Sequence, residues 1–143
     1  MQITRQADYA VRAVLYLSKL TNGGQATTSQ IARDREIPPS FLAKIVSQLS
    51  IAGVVNTSRG ARGGVSLTRP PNNITLLEVV EAIDGPICLN ECVNDPSVCN
   101  FSGTCIVHEF WTSAQADLVD RLATTDFHML CSNGRTQEAD IAL

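Results

Sequence analysis

Pro38-Pro39-Ser40-Phe41-Leu42-Ala43-Lys44-Ile45-Val46-Ser47-Gln48-Leu49 is the stretch on which the fold turns. Leu42, Ile45, Val46 and Leu49 fall at i, i+3, i+4 and i+7, the apolar stripe of a half-buried helix. Ser40, Lys44, Ser47 and Gln48 fall towards the other side. Proline suits the first turn of such a helix, and Gly53 is placed to end it. Upstream, Thr27-Thr28-Ser29-Gln30 opens a shorter helix, with Thr27 and Gln30 spaced as a capping box. Asp34 to Ile37 is the turn between the two. Helix, turn and second helix with one polar face form a helix-turn-helix pattern.

The flanks extend this pattern. Ala7, Ala10, Val11, Val14 and Leu17 recur at helical spacing, so Thr4 to Leu20 reads as a first helix ended by Asn22-Gly23-Gly24. After Gly53, two short extended runs, Val54 to Ser58 and Val65 to Thr68, enclose Arg59-Gly60-Ala61-Arg62-Gly63-Gly64. That is a hairpin with a glycine-rich, doubly basic tip, placed as a wing. Thr75 and Glu78 form a second capping box, opening a helix that ends at Asp84-Gly85-Pro86. A helix resumes from Ile106 to about Thr124, with Val107, Trp111, Ala114, Leu118 and Leu122 on one side. Periodicity is poor from Thr125, and the last ten residues read as frayed. The expected class is mainly α with a small β wing. Its expected parts are a winged helix-turn-helix over 1–84, a cysteine-rich loop over 85–105, a long helix over 106–125 and a tail over 126–143.

Charge decides what the polar face is for. The net charge of −3 hides a split. Residues 1–70 carry nine basic and three acidic groups; residues 71–143 carry two basic and eleven acidic ones. A basic N-terminal half attracts a polyanion. Alone, the helix pattern equally describes a small helical domain with a solvated face. With the basic tip and the charge split it reads as a surface for double-stranded DNA. Thr28, Ser29 and Gln30 on the shorter helix, and Ser40, Lys44, Ser47 and Gln48 on the longer, supply donors that reach bases and phosphates. Arg59, Gly60, Arg62 and Gly63 form a tip that can approach the backbone or enter the minor groove. No apolar run approaches the ~18 residues of a membrane span, and the N-terminus lacks the pattern of a signal peptide. The expected location is the cytoplasm, with no membrane partner.

Five cysteines in a reducing compartment point to metal ligands or reactive thiols. Cys88, Cys92, Cys99 and Cys105 fall within eighteen residues, followed by His108. The spacing Cys92-x6-Cys99-x5-Cys105-x2-His108 is wider than the tight knuckles of structural zinc sites. It suits a loop wrapped around an iron–sulphur cluster, with reduced structural cysteines as the plainer reading. Cys131, beside Met129-Leu130, reads as a small buried hydrophobe, and His128 carries no signal. Asp8 has Arg5 at i−3 and Arg12 at i+4, and from spacing alone it reads as a surface ion pair rather than a ligand.

These residues together resemble the Rrf family of bacterial regulators, which includes IscR, NsrR and RirA. The resemblance covers nearly the whole chain. It rests on Met1-Gln2-Ile3-Thr4 with Asp8-Tyr9-Ala10-Val11-Arg12, and on Ile37-Pro38-Pro39-Ser40-Phe41-Leu42-Ala43-Lys44-Ile45. Gly53-Val54-Val55, Arg59-Gly60-x-x-Gly63-Gly64 and the three-cysteine loop complete it. It implies a homodimer joined by the long helix, with a cluster between the cysteine loop of one subunit and the first helix of the other. IscR-like members hold a 2Fe–2S cluster with three cysteines and a following histidine, which His108 matches. NsrR-like members hold a 4Fe–4S cluster with three cysteines and a first-helix aspartate, which Asp8 matches. The implied ligands are therefore Cys92, Cys99 and Cys105 with His108 or Asp8, and Cys88 is an extra candidate outside both patterns. The gap between Cys92 and Cys99 is one residue longer than the IscR pattern. Ala43 stands where IscR carries a glutamate, so the operator sequence does not carry over.

The function expected is a transcription regulator that senses redox state, nitric oxide or iron–sulphur status through a cluster. The alternative is a regulator of the same fold that senses by its thiols or a protein partner. An electron-transfer or cluster-carrier protein would leave the basic tip unused. Nothing in the sequence pairs a nucleophile with a base or forms a phosphate loop, so neither an enzyme nor a small-molecule substrate is expected.

Overall fold

Helix α1, Arg5–Ser18, starts where the Thr4 side chain accepts a hydrogen bond from the Ala7 amide. Ala7, Ala10, Ala13, Val14 and Leu17 are buried along it. Their small size lets α4, Leu76–Asp84, and α3, Pro39–Ile51, pack directly against the α1 backbone. The computed structural model describes residues 1–61 and 63–133. Arg62, one of the two expected tip arginines, and the last ten residues, read as frayed, lie outside them.

Helix α2, Thr28–Asp34, opens with the expected reciprocal cap. Thr27 Oγ1 accepts from the Gln30 amide at 3.1 Å, and Gln30 Oε1 accepts from the Thr27 amide at 2.9 Å. In α3 the predicted stripe of Leu42, Ile45, Val46 and Leu49 is buried. Gly53 follows at φ +78°, a conformation that favours glycine over residues with a Cβ. The wing is an antiparallel pair, β1 Val55–Ser58 and β2 Gly64–Leu67, in a register that sets Val55 opposite Leu67 and Ser58 opposite Gly64. Ala26 and Val65 exchange amide-to-carbonyl bonds at 3.0 and 2.8 Å, fastening β2 to the residues that lead into α2. A Cβ at Gly63 would run into the Ser58 carbonyl oxygen, so the tip can close only on glycine.

Arg69 braces the wing. Its guanidinium donates to the carbonyls of Gly53 and Asn73, each at 3.2 Å, and to Glu78 Oε1 at 2.7 Å. Glu78 also accepts from the Thr75 amide as the second capping box. The cysteine segment is not wholly irregular. It contains a helical turn, α5, Glu91–Asn94, and a 3₁₀ turn, Pro96–Val98, before the long helix α6, Ile106–Ala123.

Two sequence expectations need correction. Described residues after α6 reach the core: Phe127 is 0% exposed and among the largest fully buried side chains, and Cys131 is buried as its sequence reading expects. The Leu76 amide donates to Thr125 and the Phe127 amide to Ile74, so the chain folds back onto the start of α4. Tertiary burial fixes this short stretch, which is too brief to show a period. The second correction concerns α6. His108, Trp111, Gln115, Leu118 and Leu122 are half-buried on one face. Val107, expected with Trp111, instead joins Ile106 and Phe110 outside, at 52%, 84% and 63% exposure. No residue of α6 is fully buried within one chain.

Candidate functional site

On the basic half of the chain, α3 presents Ser40, Lys44 and Ser47 to solvent, with Ala43 and Phe41 beside them. Thr28, Ser29 and Gln30 are exposed at the start of α2. Thr28, Ser29, Arg33, Pro39 and Ala43 line one hollow between the two helices. Thr28 also lines a second hollow with Val46, Ser58, Gly60 and Gly63, so the helix pair and the wing tip meet across it. Gln30 has its carbonyl oxygen committed to the cap, leaving its NH2 as its outward group. Gln48 departs from the expected face. It borders the buried stripe beside Ile45 and Leu49, is half-buried, and has an enclosed Oε1 without a hydrogen-bond partner.

The cations sort by their partners. Arg12 is bonded to Asp8 at 2.8 Å, Arg33 to Asp34 at 3.4 Å and Arg69 to Glu78 at 2.7 Å. Among the described residues, Lys44 and Arg59 pair with no acidic group, and both are exposed. An unpaired cation offers a phosphate its full charge, whereas a paired one must first break its own contact. Arg5 and Arg121, among the same residues, are exposed without an acidic partner as well, so α3 and the wing tip each contribute one of the unpaired charges, Lys44 and Arg59. Asp8 makes the surface ion pair that its spacing predicts.

The second cluster of chemistry lies on the segment that joins α4 to α6. None of the five thiols forms a disulfide. Cys92 is on α5, Cys99 is exposed beyond it, and Cys105 immediately precedes α6. The structure brings Cys92 and His108 together, Sγ to Nδ1 at 3.3 Å. Cys99 and Cys105 do not join them. Among the described residues, no three His, Cys, Asp or Glu side chains converge on one point as a metal requires. The donors fit an iron–sulphur cluster in kind, being soft thiols and an imidazole, none of them buried, on a segment without lysine or arginine. Asp95 ends α5. The hydroxyl and amide of Ser97 both donate to its carboxylate and hold it below the usual carboxylate range.

Two links tie this segment to the basic half of the chain. The amide and hydroxyl of Thr4, at the start of α1, both donate to Asp84 at the end of α4. Cys88 lines a hollow with Met1, Ile3 and Thr4. Sequence reasoning missed a further set, in which Gln115 on α6 bonds Leu89 and Asn94 across α5. The only sign of it was the position of Gln115, two helical turns from His108 on the same face.

The Rrf2 family model, described as an iron-dependent transcriptional regulator, matches residues 3–133. A Mycobacterium tuberculosis protein named as an HTH-type transcriptional regulator is 37% identical over 87 residues, which is 61% of this chain and 54% of that protein. The chain thus spans about half the length of the curated relatives it matches. Among solved structures, CymR, the global cysteine regulator of B. subtilis, superposes with a TM-score of 0.78 at 26% identity, over 93% of this chain and 98% of that one. IscR of T. potens superposes with a TM-score of 0.75 at 18% identity, over 94% and 88%, a likeness of fold.

Proposed function

Because the chain belongs to the Rrf2 family of transcriptional regulators, we propose that it binds a cytoplasmic DNA operator as a homodimer and that the state of its cysteine segment sets that binding. A transcriptional regulator of this winged-helix fold binds DNA and is not an enzyme. In our reading α3 lies in the major groove, with Ser40, Lys44 and Ser47 towards the bases and phosphates. Thr28, Ser29 and Gln30 contact the flanking backbone, and Arg59 enters from the wing. Gly60 and Gly63 let the tip approach closely. Gln48 is the weakest member of the set because its oxygen is turned into the protein.

The observation that carries the sensing half is the pairing of Cys92 with His108 on a segment holding three more thiols, bonded through Asp84 to the start of α1. Cys92, Cys99 and Cys105 would hold an iron–sulphur cluster, with His108 or Asp8 as the fourth ligand. When bound, such a cluster supplies chemistry responsive to redox state, nitric oxide and iron supply. The chain's own contribution is to present soft donors at the surface and to connect their position to α1. The exposed Ile106, Val107 and Phe110 at the start of α6 supply the apolar surface for a second copy.

A second reading, thiol sensing without a cluster, draws support from the likeness to CymR and from thiols that do not converge within one chain. Anaerobic purification, with iron and sulphide counted per chain, separates the two. About two or about four irons per chain supports the cluster. A colourless protein that cannot be reconstituted, yet whose operator affinity shifts with thiol oxidation, supports the second reading. Loss of all specific operator binding would remove both.

A further inference from the structure

We propose that Gln115 and Asn94 form a clamp that sets Cys92 against His108 in advance, leaving residues 96–104, which carry Cys99, as the part of the segment free to move onto that fixed pair. The proposal rests on reading this segment as the sensor. Both ends of the Gln115 amide are used: Oε1 accepts from the Leu89 amide at 2.9 Å, and Nε2 donates to Asn94 Oδ1 at 2.7 Å. Asn94 Nδ2 in turn donates to the Ile87 carbonyl at 3.1 Å. Ile87 is buried, and its own amide donates to Glu81 on α4 at 3.4 Å. Residues 87, 89 and 94 are thus all held, and Cys92 lies between them.

The other half of the pair stands on the same support. His108 and Gln115 are two helical turns apart on the half-buried face of α6, so the imidazole and the clamp share one rigid surface. The Gln115 amide offers the acceptor that Leu89 needs and the donor that Asn94 needs on two separate atoms of one side chain. Beyond Asp95 the pattern changes. Hydrogen bonds of residues 96–104 go only to Asp95 or to each other: Ser97 to Asp95, Ser102 to Cys99, Thr104 to Phe101. Val98 and Phe101 are exposed. A stretch bonded only to itself and to the single residue before it opens at lower free energy than one bonded to two helices. Gln115 and Asn94 are therefore positioning residues, and Cys99 is the donor that travels.

The test uses the reduced, metal-free full chain. In the wild type, the Leu89 amide should exchange with deuterium more slowly than those of Cys99 and Gly103, and the imidazole nitrogens of His108 should carry the NMR signature of a ring engaged at Nδ1. Gln115→Leu and Asn94→Ala should each speed Leu89 exchange about five-fold or more and return the His108 signals to those of a free ring. Amides of α1 and α3 should not change. A wild-type Leu89 amide as fast as Cys99 overturns the clamp, and that comparison needs no variant to fold. Variants that leave both Leu89 and His108 unchanged overturn it as well. Operator affinity of the same wild-type sample reports on the regulator reading separately, since its loss leaves the exchange and imidazole results standing.

Discussion

Thr4 and Asp84, 80 residues apart in the chain, are joined through both the amide and the hydroxyl of Thr4, which donate to the Asp84 carboxylate. The same hydroxyl accepts from the Ala7 amide and caps α1. Asp84 therefore orients the cap from the end of α4, where the cysteine segment begins. Asp84→Ala should destabilise the fold by about 0.5–2 kcal/mol, the range for losing a helix cap. Urea unfolding of the reduced chain measures it. An unchanged midpoint would mean that Thr4 caps α1 unaided.

Phe127 is the sharpest test of the core. It is fully buried, and it comes from a stretch whose sequence gives no periodic signal. Phe127→Ala should cost about 3–5 kcal/mol by lost burial and cavity formation. Urea unfolding measures it, and an unchanged midpoint would take Phe127 out of the core.

The partner pattern of the cations predicts a split in DNA binding. Lys44→Ala and Arg59→Ala should each weaken operator affinity by at least ~1 kcal/mol and, where a phosphate contact is lost, reduce the salt slope by about 0.9. Arg69→Ala should instead lower stability through the lost brace to Gly53, Asn73 and Glu78. Fluorescence anisotropy over a salt series, beside an unfolding curve, reads both. Equal slopes in wild type and Lys44→Ala would remove Lys44 from the phosphate contacts.

The fourth ligand is open to direct substitution. If a cluster is reconstituted, His108→Ala should lower iron retention and Asp8→Ala should not when the histidine is the ligand; the reverse holds for the aspartate. Cys131→Ala, away from the segment, should retain wild-type iron. Iron retained in all of Cys92→Ala, Cys99→Ala and Cys105→Ala would exclude this site altogether.

Asp95 supplies a pH dependence. The hydroxyl and amide of Ser97 favour its charged form, so its folded pKa lies below the unfolded one. The turn's contribution to stability is then present above the unfolded pKa and lost as pH falls through the folded value. The protection of the Ser97 amide, taken relative to its intrinsic exchange rate at each pH, should fall on acidification in that range, and Asp95→Asn should remove the step. A Ser97 profile that matches the variant's would show that the carboxylate does not hold this turn.

Much of this was decided by short-range physics that a sequence displays. The period of Leu42, Ile45, Val46 and Leu49 fixed the buried face of α3. Thr27 with Gln30 and Thr75 with Glu78 marked two helix starts that the structure reproduces atom for atom. Gly60 and Gly63 marked the tip because only glycine closes it. Each of these depends on neighbours within a few residues, and the charge split needs only counting. Tertiary structure alone decided the rest. It placed Phe127 in the core, tied Asp84 to Thr4, turned Gln48 partly inward and chose which cations stay free. It also paired Cys92 with His108 while leaving Cys99 outside, through bonds from Gln115. Such contacts join residues far apart in the chain, and their geometry depends on how whole helices pack, which no local period or cap encodes.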